Sequence, residues 1–156
     1  MAIQRTGHVA IRVRDLEATR RFYCDVVGMK IGKEYPGRGV FFRFDDYHHD
    51  LVAFKGDQCS EPASVKHAGI AHIAFVADDV ATVQGFYRRV KEHGIAVRCT
   101  DHGFTKSIYF PDPDGIEIEI YAEVPGFDFM ASGLNIREPW DIEAPRAAEP
   151  LLTAHD

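Results

Sequence analysis

Cysteine is scarce in this chain of 156 residues: Cys24, Cys59 and Cys99 are odd in number and widely separated. That leaves neither a disulfide framework nor a pair of Cys-x-x-Cys motifs for zinc, and the three read as ordinary reduced thiols. Positive charge is also in short supply. Eighteen Lys+Arg stand against 24 Asp+Glu, a net charge of -6, and no basic cluster interleaved with aromatics offers itself to a phosphate backbone. Nucleic acid is therefore not expected as a partner. No segment approaches the roughly 20 apolar residues that span a bilayer, and "MAIQRTG" runs into an alternating strand without an apolar leader. The expectation is a cytoplasmic protein that makes no use of a membrane. Core-forming residues, by contrast, are plentiful: 46% of the chain is hydrophobic and 12% aromatic, enough for one compact domain or two tightly joined halves.

The chain nearly repeats itself. "HVAIRVRDLEATRRFY" begins at His8, and "HIAFVADDVATVQGFY" begins 64 positions later at His72. In each copy a short β-branched and apolar run ends at an aspartate, Asp15 or Asp79, of the kind that caps a helix. Leu16, Thr19, Phe22, Tyr23, Val26 and Val27 then recur at helical spacing up to Gly28; Val80, Val83, Phe86, Tyr87 and Val90 do so up to Gly94. Strand-like runs follow at 30–35, 40–44 and 51–54, and again at 95–100, 107–110 and 116–121. The order is β-α-β-β-β, twice. Two copies are too few for an open solenoid. The predicted fold is α+β: two paired βαβββ modules, residues 7–56 and 70–123, forming a shared curved sheet within one domain, residues 1–123. In that pairing the first strands lie near the pseudo-twofold axis and bring His8 close to His72.

A single histidine at a strand start is more often a core or surface residue than a metal ligand. Two at equivalent repeat positions acquire meaning only if a third ligand converges on them. The strand after the turn Asp112-Pro113-Asp114-Gly115 alternates Ile116, Glu117, Ile118, Glu119, Ile120, which places both glutamates on one face. A solvated acidic face is the ordinary reading, and it suits Glu117; Glu119 has a specific alternative.

That alternative rests on "TDHGFTKSIYFPDPDGIEIE", from Thr100. It resembles the signature of the type I extradiol ring-cleavage dioxygenases of the vicinal oxygen chelate superfamily: His, an apolar residue and Tyr, Asp-Pro-x-Gly, then Glu. His102, Ile108, Tyr109, Asp112, Pro113, Gly115 and Glu119 occupy those positions. "HHDLVAF", His48 to Phe54, is similar to the run that carries the family's catalytic histidine. The resemblance implies Fe(II), with Mn(II) as a possible substitute, held by His8, His72 and Glu119. It implies His49 as acid–base residue, with His48 beside it as the competing candidate, and Tyr109 and His102 as donors to the substrate. The substrates it implies are an aromatic diol of the catechol type and O2. Two imidazoles and a carboxylate on one face of an octahedral ion suit non-haem Fe(II), with positions left for a diol and O2.

Glyoxalase-type lyases and isomerases and metal-free bleomycin-resistance proteins share the superfamily, so fold alone does not decide between them. The glyoxalase pattern asks for a fourth ligand from the last strand of the first half. Laying "DLVAF" on "EIEIY" places Val52 opposite Glu119, and a shift by one offers Leu51 or Ala53; none binds a metal. His93 reads as a helix-end residue, and His67 and His155 as loop and tail. Many extradiol dioxygenases carry four modules, so this two-module chain resembles the small, one-domain biphenyl-diol type. A homodimer or larger assembly is then expected. Residues 124–156 form a C-terminal extension whose end is Pro/Ala-rich, while Phe127, Phe129 and Trp140 imply that its first part packs on its own domain, closes the pocket or holds a neighbouring subunit.

Overall fold

A computed structural model describes residues 5–56, 69–126 and 138–144. The first module contains β1 (Val9–Val13), α1 (Leu16–Arg21), β2 (Lys30–Tyr35), β3 (Gly39–Arg43) and β4 (Leu51–Lys55). The second contains β5 (Ile73–Val76), α2 (Val80–Glu92), β6 (Arg98–Asp101), β7 (Thr105–Pro111) and β8 (Glu117–Glu123), and β9 (Glu138–Pro139) follows. The predicted order β-α-β-β-β is present in both halves.

Both helices start where the aspartates direct. The Asp15 carboxylate accepts from the N–H groups of Glu17 and Ala18 at 2.9 and 3.1 Å, and Asp79 accepts from that of Thr82 at 2.7 Å. These bonds satisfy donors that have no partner inside the helix. The first helix departs from the α pattern: from Phe22 to Val26 it widens into a π turn, a local form common at functional sites. Its widening lets Phe22, Tyr23 and Val26 all reach the core. Gly94 ends α2 at φ +71°, and the N–H of Ile95 returns to the Val90 carbonyl at 3.2 Å, a closure that the left-handed glycine permits.

The strands divide into two mixed sheets, in the orders β1-β4-β3-β2 and β5-β8-β7-β6-β9. In both, the first strand lies parallel to the last strand of its module, and the remaining pairs are antiparallel. The registers match across the repeat: Ala10 pairs with Val52 as Ala74 pairs with Glu119. Among the described residues β1 and β5 form no ladder with each other; each is the outermost strand of its own sheet.

The modules are joined instead through their helix-bearing sides. Ile11, Val13, Phe42 and Leu51 share one core cluster with Ile73, Ile108, Phe110 and Ile118. The Tyr23 hydroxyl donates to Asp112 at 3.1 Å across the seam, Phe22 packs on Phe110, and the Arg14 guanidinium pairs with Asp114 at 2.7 Å. Burying a helix face and one sheet face from each half in a common core provides most of the stabilisation. It leaves the opposite face of each sheet outside that core.

The tail contributes two elements that the sequence pattern did not reveal. Glu138 and Pro139 add β9 to the β6 edge, and Ile142 enters the core with its carbonyl accepting from the Gln84 side-chain amide at 3.0 Å. Trp140 packs partly buried against the same core. Phe127, Phe129, His67 and His155 lie outside the described residues. Among the described residues, no helix is long and apolar enough to cross a membrane.

Candidate active site

Strand alternation decides which side chains face away from the core. In β8, Ile118 and Ile120 point inward, so Glu117, Glu119 and Tyr121 share the opposite face. Tyr109 is directly opposite Glu119 on β7, and Ala74 is directly opposite it on β5. His72, two residues before Ala74, falls on the same face.

These side chains connect. The Tyr109 hydroxyl donates to Glu119 Oε1 at 2.5 Å, and His72 Nε2 lies 3.0 Å from Glu119 Oε2. With its proton committed to Glu119, the Tyr109 oxygen accepts from His102 Nε2 at 2.9 Å. Glu119 is a buried carboxylate, 8% exposed, and Tyr109 is 7% exposed. Burial raises the Tyr109 pKa well above that of an ordinary phenol, and the hydrogen bond to Glu119 raises it further, so the hydroxyl stays protonated. The sequence motif thus assembles His72, His102, Tyr109 and Glu119 into one hydrogen-bonded row along the second sheet.

A cleft of about 500 Å³ opens over this row, lined by His72, Arg98, Thr100, His102 and Tyr109. Glu138 and Pro139 of β9 form part of its rim. Arg98 was not singled out in the sequence. Its guanidinium carbon sits 4.1 Å from the centroid of the Tyr109 ring, and its Nη2 lies 3.2 Å from Glu117 Oε1. The available signal was hairpin register: counting outward from the turn at Gly103 pairs Arg98 with Tyr109.

His8 and His49 occupy the other sheet. His8 precedes β1 in phase with the exposed Ala10 and Arg12, and its ring is 4.4 Å from that of His49. His49 packs edge-on against Phe41 at 5.0 Å. Burial lowers the His49 pKa, and the neighbouring His8 and His48 lower it further, which favours a neutral imidazole. The strand β4 begins only at Leu51, so His48 and His49 belong to the preceding loop. Their Nδ1 atoms meet at 2.6 Å instead of pointing to opposite faces.

The donor set is therefore divided. Glu119 and His72 are placed as two ligands of one ion could be, and two imidazoles with a carboxylate suit Fe(II) or Mn(II) in kind. His8 does not join them: among the described residues, no three His, Cys, Asp or Glu side chains are grouped so as to hold a metal. The convergence expected for His8 with His72 and Glu119 is therefore not found among the described residues. The equivalent of Glu119 in the first sheet is Val52, and the equivalent of Tyr109 is Phe41, so neither position supplies a carboxylate as a fourth ligand.

Two βαβββ modules with parallel outer strand pairs and an His/Glu/Tyr row on one face define a recognisable class. The chain belongs to the glyoxalase/bleomycin resistance protein/dioxygenase superfamily, whose family model matches residues 5–120. It is similar to biphenyl-2,3-diol 1,2-dioxygenase 2 of Rhodococcus globerulus, 31% identical over 76% of this chain and 63% of that protein. The chain thus spans less than two thirds of that relative's length. Among solved structures it is similar to lactoylglutathione lyase from Agrobacterium tumefaciens, with a TM-score of 0.63 and 26% identity over 81% of this chain and 100% of the other. It is also similar to the fosfomycin resistance protein FosX from Mesorhizobium loti, with a TM-score of 0.61 and 27% identity over 80% and 96% of the two chains.

Proposed function

We propose that this protein is a divalent-metal dioxygenase that cleaves a catechol-type aromatic ring beside its two hydroxyls, using O2. The observation that carries this reading is the row His102–Tyr109–Glu119–His72, in which a buried carboxylate is flanked by one imidazole and one phenol at 3.0 and 2.5 Å. His72 and Glu119 would hold the ion. A bound Fe(II) or Mn(II) of this class supplies electron transfer between an aromatic diol and dioxygen.

The protein's own groups then have separable tasks. Tyr109, kept protonated by burial, presents a neutral hydroxyl to an incoming diol oxygen, and His102 Nε2 orients that hydroxyl. Arg98 places positive charge at the cleft wall beside Tyr109, where a diolate carries negative charge. His49, neutral because of its surroundings, accepts a proton from the diol and returns it later. The diol and O2 fill the cleft, which is open to solvent on the side of the exposed His72.

A lyase of the lactoylglutathione type is the competing reading, because the chain matches the whole length of such a structure. Val52, 2% exposed at the position equivalent to Glu119, opposes it, since a four-ligand site needs a side chain that can bind metal there. The deciding experiment is anaerobic purification with metal analysis, followed by a panel of catechols and dihydroxybiphenyls assayed for O2 uptake and a yellow ring-opened product. Diol-dependent O2 uptake with iron or manganese bound is the expected result. Thiol-adduct isomerisation supported by zinc or nickel, with no diol-dependent O2 uptake, would overturn it.

A further inference from the structure

β7 carries a second polar residue on the same face as Tyr109. Ile108 and Phe110 turn into the shared core, so Ser107 faces away from it, between Thr100 on β6 and Tyr121 on β8. Ser107 is nonetheless fully buried, and its hydroxyl has no hydrogen-bond partner among the described residues. A buried hydroxyl without a partner is destabilising, and one kept beside a site calls for a use. Its neighbour supplies one. The Tyr109 hydroxyl reaches His102, whose backbone N–H donates to the Thr105 carbonyl at 2.9 Å, so the Tyr109 side chain leans along β7 over Ser107. Burial and the Glu119 carboxylate raise the Tyr109 pKa, while the Ser107 hydroxyl acts to lower it, which marks the serine as a neighbour of the phenol oxygen.

The first module serves as an internal control. Phe41 stands where Tyr109 does, Val52 where Glu119 does, Phe54 where Tyr121 does, and Gly39 where Ser107 does. A Cβ added at Gly39 would lie 2.8 Å from the Ala53 carbonyl oxygen and 3.0 Å from the Phe54 ring, so packing beneath Phe41 asks only for a minimal residue. The second module also keeps this residue small but adds a hydroxyl, and it does so beneath the aromatic ring that carries one. We infer that Ser107 is a positioning residue: its hydroxyl is held in reserve under Tyr109 and donates to the phenol oxygen once Glu119 is committed as a ligand and Tyr109 turns to a diol. Before then Tyr109 donates to Glu119 and accepts from His102. When the Tyr109 proton turns to an incoming diol oxygen, the phenol oxygen can accept from Ser107 as well as from His102. Two donors then fix the direction of the one proton that Tyr109 offers, and no covalent bond is made or broken. The inference rests on the metal-and-diol reading proposed above.

Metal-free melting and ligand binding test it together, with no need of turnover. Without metal, Ser107→Ala should melt at or above the wild type, because it removes an unpaired hydroxyl and leaves almost no cavity. A lower melting temperature would show that the hydroxyl is already bonded in the resting protein, and would overturn the inference. Diol binding is read anaerobically, in the presence of Mn(II), from the absorbance of 4-nitrocatechol. Ser107→Ala should weaken that binding about tenfold, the effect of one lost hydrogen bond. In a Tyr109→Phe background the same substitution should change nothing, since the oxygen that Ser107 serves is gone. Unchanged affinity in Ser107→Ala, or an equal loss in both backgrounds, would overturn the positioning role while leaving the diol reading in place. A wild type that takes up no 4-nitrocatechol would instead remove the diol reading, and the inference with it.

Discussion

Tyr109 and His49 are the residues at which binding and chemistry separate most cleanly. Tyr109→Phe removes the hydroxyl that bridges His102 and Glu119 while leaving the ring under the Arg98 guanidinium. Loss of one positioned donor lowers turnover on the order of 100-fold. Metal content should be retained, because neither His72 nor Glu119 is altered. Oxygen uptake at saturating diol, set beside metal analysis of the same sample, checks both statements. His49→Ala should likewise keep metal and bind diol, with turnover reduced on the order of 100- to 10,000-fold, the value of a placed proton-transfer group. His48 touches His49 through Nδ1, so His48→Ala is expected to have an intermediate effect through the position of its neighbour. Anaerobic diol titration followed by a single turnover on adding O2 separates the two variants. Full activity in His49→Ala would assign the proton transfer elsewhere, with His102 the next group in reach of the row.

At the scale of elements, the helix caps are the parts most directly written in the sequence. Asp15 is fully exposed, and the N–H groups of Ala18 and Glu17 hold its pKa below the ordinary carboxylate value of 3.8. A pKa lowered by folding stabilises the fold above the unfolded-state value, and that stabilisation disappears as pH falls through the folded-state value. Asp15→Ala should therefore melt below the wild type at pH 7, and the difference should narrow from about pH 4 downward. Thermal melts across that range read it directly; a difference that persists unchanged at pH 2 would show that the carboxylate charge is not involved. The π turn at Phe22–Val26 was not legible in this way. Its residues satisfy a helical spacing, and the choice of a wider turn follows from the need to bring Phe22, Tyr23 and Val26 into the core together. β9 was equally hidden, since a two-residue strand has no periodicity and forms only because the β6 edge is there to receive it.

For the whole molecule, the seam between the modules governs cooperativity. The Tyr23 hydroxyl and the Asp112 carboxylate are both buried, and burial raises the Asp112 pKa despite the N–H groups of Ile116 and Asp114 that it accepts from. Tyr23→Phe leaves that carboxylate oxygen without its buried donor and should cost about 1–3 kcal/mol. Because the core is shared, the loss should appear as one unfolding transition moved to lower denaturant, with fluorescence and circular dichroism coinciding. Two separated transitions would mean that the halves fold independently.

The repeat, the order of strands and helices, the two capping aspartates and the inward alternation of Ile118 and Ile120 around Glu119 were all present in the sequence, because each depends on local propensity and on periods of 2 or 3.6 residues. The motif from His102 to Glu119 was legible for the same reason: one hairpin and the strand beside it bring its members together. Arg98 required the hairpin register, and the finding that His8 does not group with His72 and Glu119 required the tertiary structure. Two modules of matching pattern can join through their strand edges or through their helix-bearing faces, and both solutions satisfy the same alternation. The choice was decided by long-range packing, Phe22 on Phe110 and Tyr23 on Asp112, whose partners lie almost 90 residues apart and leave no periodic trace in the chain.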